Sequence, residues 1–94
     1  MYKDLDPLLH SQLRLAVMSL LMSLVEAEFT YIKEKTGATA GNLSVQVEKL
    51  KKAGYIEVNK SFKDNYPLTV CKITAKGREA FEKYVKDLKS YLKV

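Results

Sequence analysis

The sequence predicts a mainly α-helical fold carrying one β-hairpin, and three observations predict it. Apolar residues recur at helical spacing between Leu8 and Val25, across 40–53 and across 75–92. A brief helical stretch at 31–36 precedes the second of these, and the short connection between them contains Gly37. Two runs of β-formers, 55–60 and 68–74, flank a turn-like Lys63-Asp64-Asn65-Tyr66-Pro67. The chain has 94 residues, 47% hydrophobic and 29% charged, which fits one globular domain over 1–94.

Asp6 and Pro7 pair an N-cap with a first-turn proline, so the first helix is expected from Leu8 to Val25. Its stripe is Leu9, Leu13, Ala16, Val17, Leu20, Leu21 and Leu24, and Leu15, Met18 and Met22 fall outside it. A helix apolar nearly all round must be covered on more than one side. His10, Gln12, Arg14 and several serines interrupt the stretch, so no membrane span is expected. Nor does the N-terminal stretch have the basic segment, clean apolar core and cleavage site of a signal peptide.

Glu28 and Phe29 are expected to be an extended link. Thr30 is placed to cap a short helix over Tyr31–Thr36 with Ile32 inward, and Gly37 to end it. Thr39 caps the next helix, Ala40–Ala53, whose inward stripe Leu43, Val47 and Leu50 is spaced i, i+4, i+7. Gly54 stops it, and the hairpin follows. Thr74 caps a last helix over Ala75–Leu92, with Ala80, Phe81, Tyr84, Val85, Leu88, Tyr91 and Leu92 on its apolar stripe. Two short helices joined by a glycine-containing turn form a helix-turn-helix. A hairpin directly after the second is a wing, so the predicted class is a winged helix-turn-helix.

With Leu43, Val47 and Leu50 inward, the helix over 40–53 leaves Asn42, Ser44, Val45, Gln46, Lys49 and Lys52 outside. Ala40 and Gly41 keep its first turn thin enough to enter a major groove. Asn42 and Gln46 offer bidentate bonds to an adenine edge, Ser44 suits donors or acceptors, and Val45 suits a thymine methyl. Thr39, Lys49 and Lys52 are placed for phosphates, with the backbone N–H groups of the helix start as a further anchor. The wing, 60–67, adds Lys60, Lys63 and Asn65 for the DNA backbone or minor groove.

The net charge is +5, which by itself favours a polyanionic partner only weakly. Residues 1–29 hold two basic and four acidic residues, which argues against the first helix as the DNA surface. Residues 40–66 hold five lysines against three acids, and residues 75–94 hold six basic residues against three. Charge therefore does not choose between the wing region and the last helix. Cys71 is the only cysteine and His10 the only histidine. No intrachain disulfide or paired-cysteine metal site is available, and a reducing cytoplasm fits. Cys71 is expected to be half-buried in its strand, and His10 to pack or cap near the first helix. Neither a phosphate loop nor a Ser-His-Asp set is present, so neither an enzyme nor a cofactor is expected.

The run Gly41-Asn42-Leu43-Ser44 through Lys49-Leu50, then Ala53-Gly54-Tyr55-Ile56-Glu57, then Ile73-Thr74-Ala75-Lys76-Gly77-Arg78 resembles the small winged-helix transcriptional regulators related to the MarR and ArsR families. The Thr-x-x-Gly junction after a strand is similar to the MarR side. The resemblance spans about 8–92 and implies a cytoplasmic homodimer that binds palindromic operators on double-stranded DNA, often as a repressor. It implies base-reading roles for Asn42, Ser44, Val45 and Gln46. The chain is shorter than a typical MarR protein and lacks the Cys and His clusters of metal-sensing ArsR proteins.

The last helix offers more apolar surface than a small three-helix core needs. Residues 75–92 are therefore expected to be a dimerisation helix, with Tyr84, Leu88, Tyr91 and Leu92 meeting Leu8, Leu9 and Leu13 of the other subunit. The alternative left open is a winged helix serving as a protein–protein adaptor or assembly subunit.

Overall fold

The computed structural model describes residues 2–92. In chain order the elements are α1 (Gln12–Leu24), β1 (Glu26–Glu28), α2 (Phe29–Thr36), α3 (Ala40–Lys52), β2 (Ile56–Lys63), β3 (Tyr66–Ile73) and α4 (Ala75–Leu88), and a 3-10 turn over Lys89–Tyr91 follows. The three strands form one antiparallel sheet in the order β1-β3-β2. This is the predicted winged helix-turn-helix, with one strand more than the hairpin alone.

The first helix starts later than its sequence signal. Asp6 does act as a cap, but of a single turn: its Oδ1 accepts from Leu8 N–H at 2.9 Å and its carbonyl from Leu9 and His10. The chain then extends at Ser11, whose hydroxyl caps α1. This jog drives Leu9 fully into the core. Val25 ends α1 with φ 72, an uncommon conformation for a β-branched residue, and its carbonyl accepts from Ile73 N–H at 2.9 Å.

Of the expected link Glu28–Phe29, Glu28 is instead the last residue of β1, which pairs Glu26, Ala27 and Glu28 with Lys72, Cys71 and Val70. Helix α2 begins at Phe29 behind Glu28, and Thr30 does not cap it. Three residues are too few for a period-2 pattern to be read. Gly37, at φ 71, closes α2 with its N–H on the Lys33 carbonyl at 3.0 Å.

The wing strands are longer than the sequence reading, and the turn is shorter. Asp64 and Asn65 alone make it, both at positive φ, 51 and 67. That is the type I′ pattern, which matches strand twist and tolerates Asp and Asn. Tyr66 and Pro67 therefore belong to β3. Pro67 lies beyond the reach of β1, so β3 has no neighbour on its outer side there and the missing N–H costs no ladder bond.

The α-helical part of α4 ends at Leu88, four residues before the expected end. Its start follows the Thr-x-x-Gly junction. The Thr74 hydroxyl accepts from Gly77 N–H at 2.9 Å and donates to the Gly54 carbonyl at 2.6 Å. The core gathers Val17, Met18 and Leu21 of α1, Ile32 of α2, Leu43, Val47 and Leu50 of α3, Ile56, Cys71 and Ile73 of the sheet, and Tyr84 of α4, together with Leu9. It fixes α3 against the body through one stripe and leaves its other faces outside.

Candidate nucleic-acid interface

Helix α3 follows α2 after the three-residue turn Gly37-Ala38-Thr39, and the Thr39 hydroxyl accepts from Asn42 N–H at 3.2 Å. That bond uses one of the N–H groups expected to serve as a phosphate anchor. Asn42, Ser44, Val45, Lys49 and Lys52 are exposed, and Gln46 is half-buried. Stepping at 3.6 residues per turn away from the buried stripe puts Val45, Glu48 and Lys52 outermost. Val45 is 52% exposed.

The named polar residues do not share one patch. Asn42 and Gln46 lie on the flank that meets α1, beside a groove of about 410 Å³ also lined by Ser11, Leu13 and Thr36. Gln46 Nε2 donates to Asn42 Oδ1 at 3.0 Å, and Arg14 donates to Gln46 Oε1. Ser44 lies on the opposite flank, facing a groove of about 180 Å³ shared with Glu48, Lys51, Lys60 and Thr69. That groove separates α3 from the wing.

Strand alternation sorts the wing. Val58 pairs with Cys71 over the core; Lys60 with Thr69 and Phe62 with Pro67 continue that face outward. Lys63 and Tyr66 pair on the other face. Lys60, Lys63 and Asn65 are exposed, and Phe62 and Tyr66 are 77% and 76% exposed. The Phe62 ring thus lies on the α3 side of the wing, flanked by Lys60.

A short helix, a tight turn, a second helix with an open face and a basic hairpin beside it are the parts of a DNA-binding winged helix. The profile of the winged helix DNA-binding domain family matches residues 13–92. The chain belongs to that family. It is 39% identical over 79 residues to an uncharacterised protein of Methanocaldococcus jannaschii, covering 84% of this chain and 86% of the relative. The solved structure of a transcriptional regulator homologue from Pyrococcus horikoshii superposes with a TM-score of 0.85 at 29% identity, over 90% of this chain and 84% of that one. A MarR family transcriptional regulator from Streptomyces coelicolor superposes with a TM-score of 0.64 at 26% identity, over 83% of this chain but 53% of that longer protein. The family is one of DNA-binding domains, not of enzymes.

Other residues of this winged helix fall differently from the sequence reading. Leu9 and Tyr84, expected at a subunit interface, belong to the core: Leu9 is fully buried, and Tyr84 is 4% exposed with its hydroxyl 3.0 Å from His10 Nδ1. Leu8, Leu13 and Leu88 are half-buried against that core. Tyr91 and Leu92 remain exposed, Leu92 at 70%. Tyr91 stacks on Tyr2 with ring centroids 4.9 Å apart and donates to the Lys3 carbonyl, so the two ends of the described chain lie together. Cys71 is fully buried rather than half-buried, because its side chain lies on the sheet face that packs into the core, and burial pushes its thiol pKa up. No helix among the described residues is long and apolar enough to cross a membrane.

Sequence reasoning missed Arg14, Glu48, Lys51 and Phe62. Helical periodicity would have put Glu48 on the outer face of α3, and strand alternation would have put Phe62 on the inner face of the wing. Nothing in the sequence ties Arg14 to Gln46.

Proposed function

We propose that this winged helix is a cytoplasmic, sequence-specific transcriptional repressor. It binds double-stranded DNA as a homodimer, with α3 in the major groove and the wing along the backbone or minor groove. The observation that carries this reading is the open outer face of α3, thin at Gly41 and flanked by a basic wing on the same side. Asn42, Ser44, Val45 and Gln46 read bases; Glu48, at the middle of that face, is suited to accept from cytosine N4. Lys49, Lys52, Lys60, Lys63, Asn65 and the Thr39 end of α3 take the phosphates.

The fold and the solved regulators it resembles support regulation. Repression is the role that the likeness to MarR-type regulators implies. The interface proposed for the dimer is what the core leaves over: Tyr91 and Leu92, with the outer parts of Leu88, Leu8 and Leu13. Residues 75–92 act as the dimerisation segment of a single domain over 1–94.

Selection of bound duplexes from a random library tests this directly. We expect an inverted repeat with half-sites about 34 Å apart, or a multiple of that spacing, and affinity that falls steeply with salt. Asn42→Ala and Gln46→Ala should each lose about 1–3 kcal/mol of specific affinity while nonspecific binding persists. Absence of binding to any duplex at low salt would instead favour an adaptor that uses the same surface for protein.

A further inference from the structure

Arg14 is an α1 residue that the DNA contacts described above do not use. Its guanidinium bridges two acceptors: Nε donates to the Leu8 carbonyl, and Nη1 donates to Gln46 Oε1. Gln46 Nε2 donates in turn to Asn42 Oδ1 at 3.0 Å. Three side chains therefore form one line of hydrogen bonds running from α1 to the first turn of α3.

That line has a fixed direction. A guanidinium has five N–H donors and no acceptor. Gln46 must turn its oxygen towards Arg14, which turns its nitrogen towards Asn42. Asn42 must then give its oxygen to Gln46, and its own Nδ2 hydrogens are left over. A carboxamide alone has no such preference, because exchanging its oxygen and nitrogen hardly changes its shape. Arg14 and Gln46 are both half-buried, where such bonds are stronger than in open water. The bond to Leu8 holds the guanidinium back in the body.

We propose that Arg14 is a specificity-determining positioning residue. By orienting the carboxamides of Gln46 and Asn42, it makes the outward end of the pair a hydrogen-bond donor. Guanine offers two adjacent acceptors in the major groove, N7 and O6, and meets such an end. Adenine presents N7 beside a donor, N6, and needs an outward-facing oxygen, whereas the relay turns Asn42 Oδ1 inward towards Gln46. The inference rests on the reading that Asn42 faces bases.

The test compares the full chain with Arg14→Met, Arg14→Lys and Asn42→Ala on the selected duplex and on copies with guanine changed to adenine at single positions. Wild type should prefer guanine at one half-site position by about tenfold, and Asn42→Ala should identify that position by losing the preference there. Arg14→Met should keep the melting temperature and the salt dependence of binding, yet lose the preference at the same position. Arg14→Lys, which again carries only donors, should restore most of it.

Preference kept in Asn42→Ala removes the base-reading assignment and this proposal with it. Preference lost in Asn42→Ala but kept in Arg14→Met removes this proposal alone. A salt slope lowered by about one in Arg14→Met, with preference intact, would make Arg14 a phosphate contact instead. Equal weakening on every duplex with a lower melting temperature would make it a packing residue only.

Discussion

At Gly77 a methyl group would sit 2.1 Å from the Tyr55 carbonyl oxygen, so the start of α4 approaches the backbone ahead of the wing at a distance only glycine allows. The same Tyr55 carbonyl accepts from Thr74 N–H at 3.1 Å. Thr74 and Gly77 thus do two separate things in the Thr-x-x-Gly junction: one caps, the other clears space. Gly41 is the opposite case, a helical glycine whose added methyl would meet nothing within 4 Å. We expect Gly77→Ala to destabilise the fold by about 2 kcal/mol, because backbone must move. Gly41→Ala should stabilise it by about 0.5–1 kcal/mol through helix propensity. Urea unfolding of the two variants checks the opposed signs. If α3 enters the groove at Gly41, the stabler variant should also be the weaker DNA binder.

Among the elements, the segment before α1 is tied to the start of the wing. The Tyr55 hydroxyl donates to Asp6. Burial, then this bond, then the nearby carboxylate charge push the Tyr55 pKa from 10.0 up to about 12. Within that interval the folded state keeps a proton that the unfolded chain has released. Its contribution to stability is therefore complete below pH 10.0 and is lost as pH rises towards 12. Tyr55→Phe should be less stable than wild type at neutral pH and should lose less between those limits. Unfolding midpoints across alkaline pH, with phenolate absorbance to follow ionisation, test this. A Tyr55 phenol titrating at the ordinary value of 10.0 would rule out the Asp6 clasp. The Asp6 carboxylate thus serves both Leu8 N–H and a tyrosine from the link between α3 and β2.

At the scale of the whole molecule, one end of the 54 × 25 × 21 Å body needs explanation. Tyr91 and Leu92 are exposed close to Tyr2, beyond the last full helical turn. In the proposed homodimer these residues belong to the subunit interface. We expect sedimentation at tens of micromolar to show a dimer, and Leu92→Glu with Leu88→Glu to give a folded monomer that binds single half-sites only. A wild-type monomer at that concentration would discard the dimer. The wing makes an independent whole-molecule prediction. Lys60→Gln with Lys63→Gln should weaken all duplexes alike and lower the salt slope by about two per subunit, if both meet phosphate.

The helix-turn-helix, its inward stripe and the hairpin were legible because they repeat or punctuate locally. Leu43, Val47 and Leu50 keep the helical period, Gly37 and Thr39 mark an end and a start, and Asp64-Asn65 suits the turn it makes. These features are set by backbone geometry within a few residues. What needed tertiary structure has no local period. β1 is three residues defined by its pairing with β3; Leu9, Tyr84 and Cys71 are assigned to the core by what surrounds them. The same holds for the proposed DNA surface. The sequence named Asn42, Ser44 and Gln46 as one outward set, since it could count turns around a helix. Only packing of α1 and the wing against opposite flanks of α3 puts Asn42 and Gln46 under Arg14 and leaves Ser44 facing the wing. Periodicity decides which side of a helix is buried, but the neighbours that flank the open side come from distant parts of the chain.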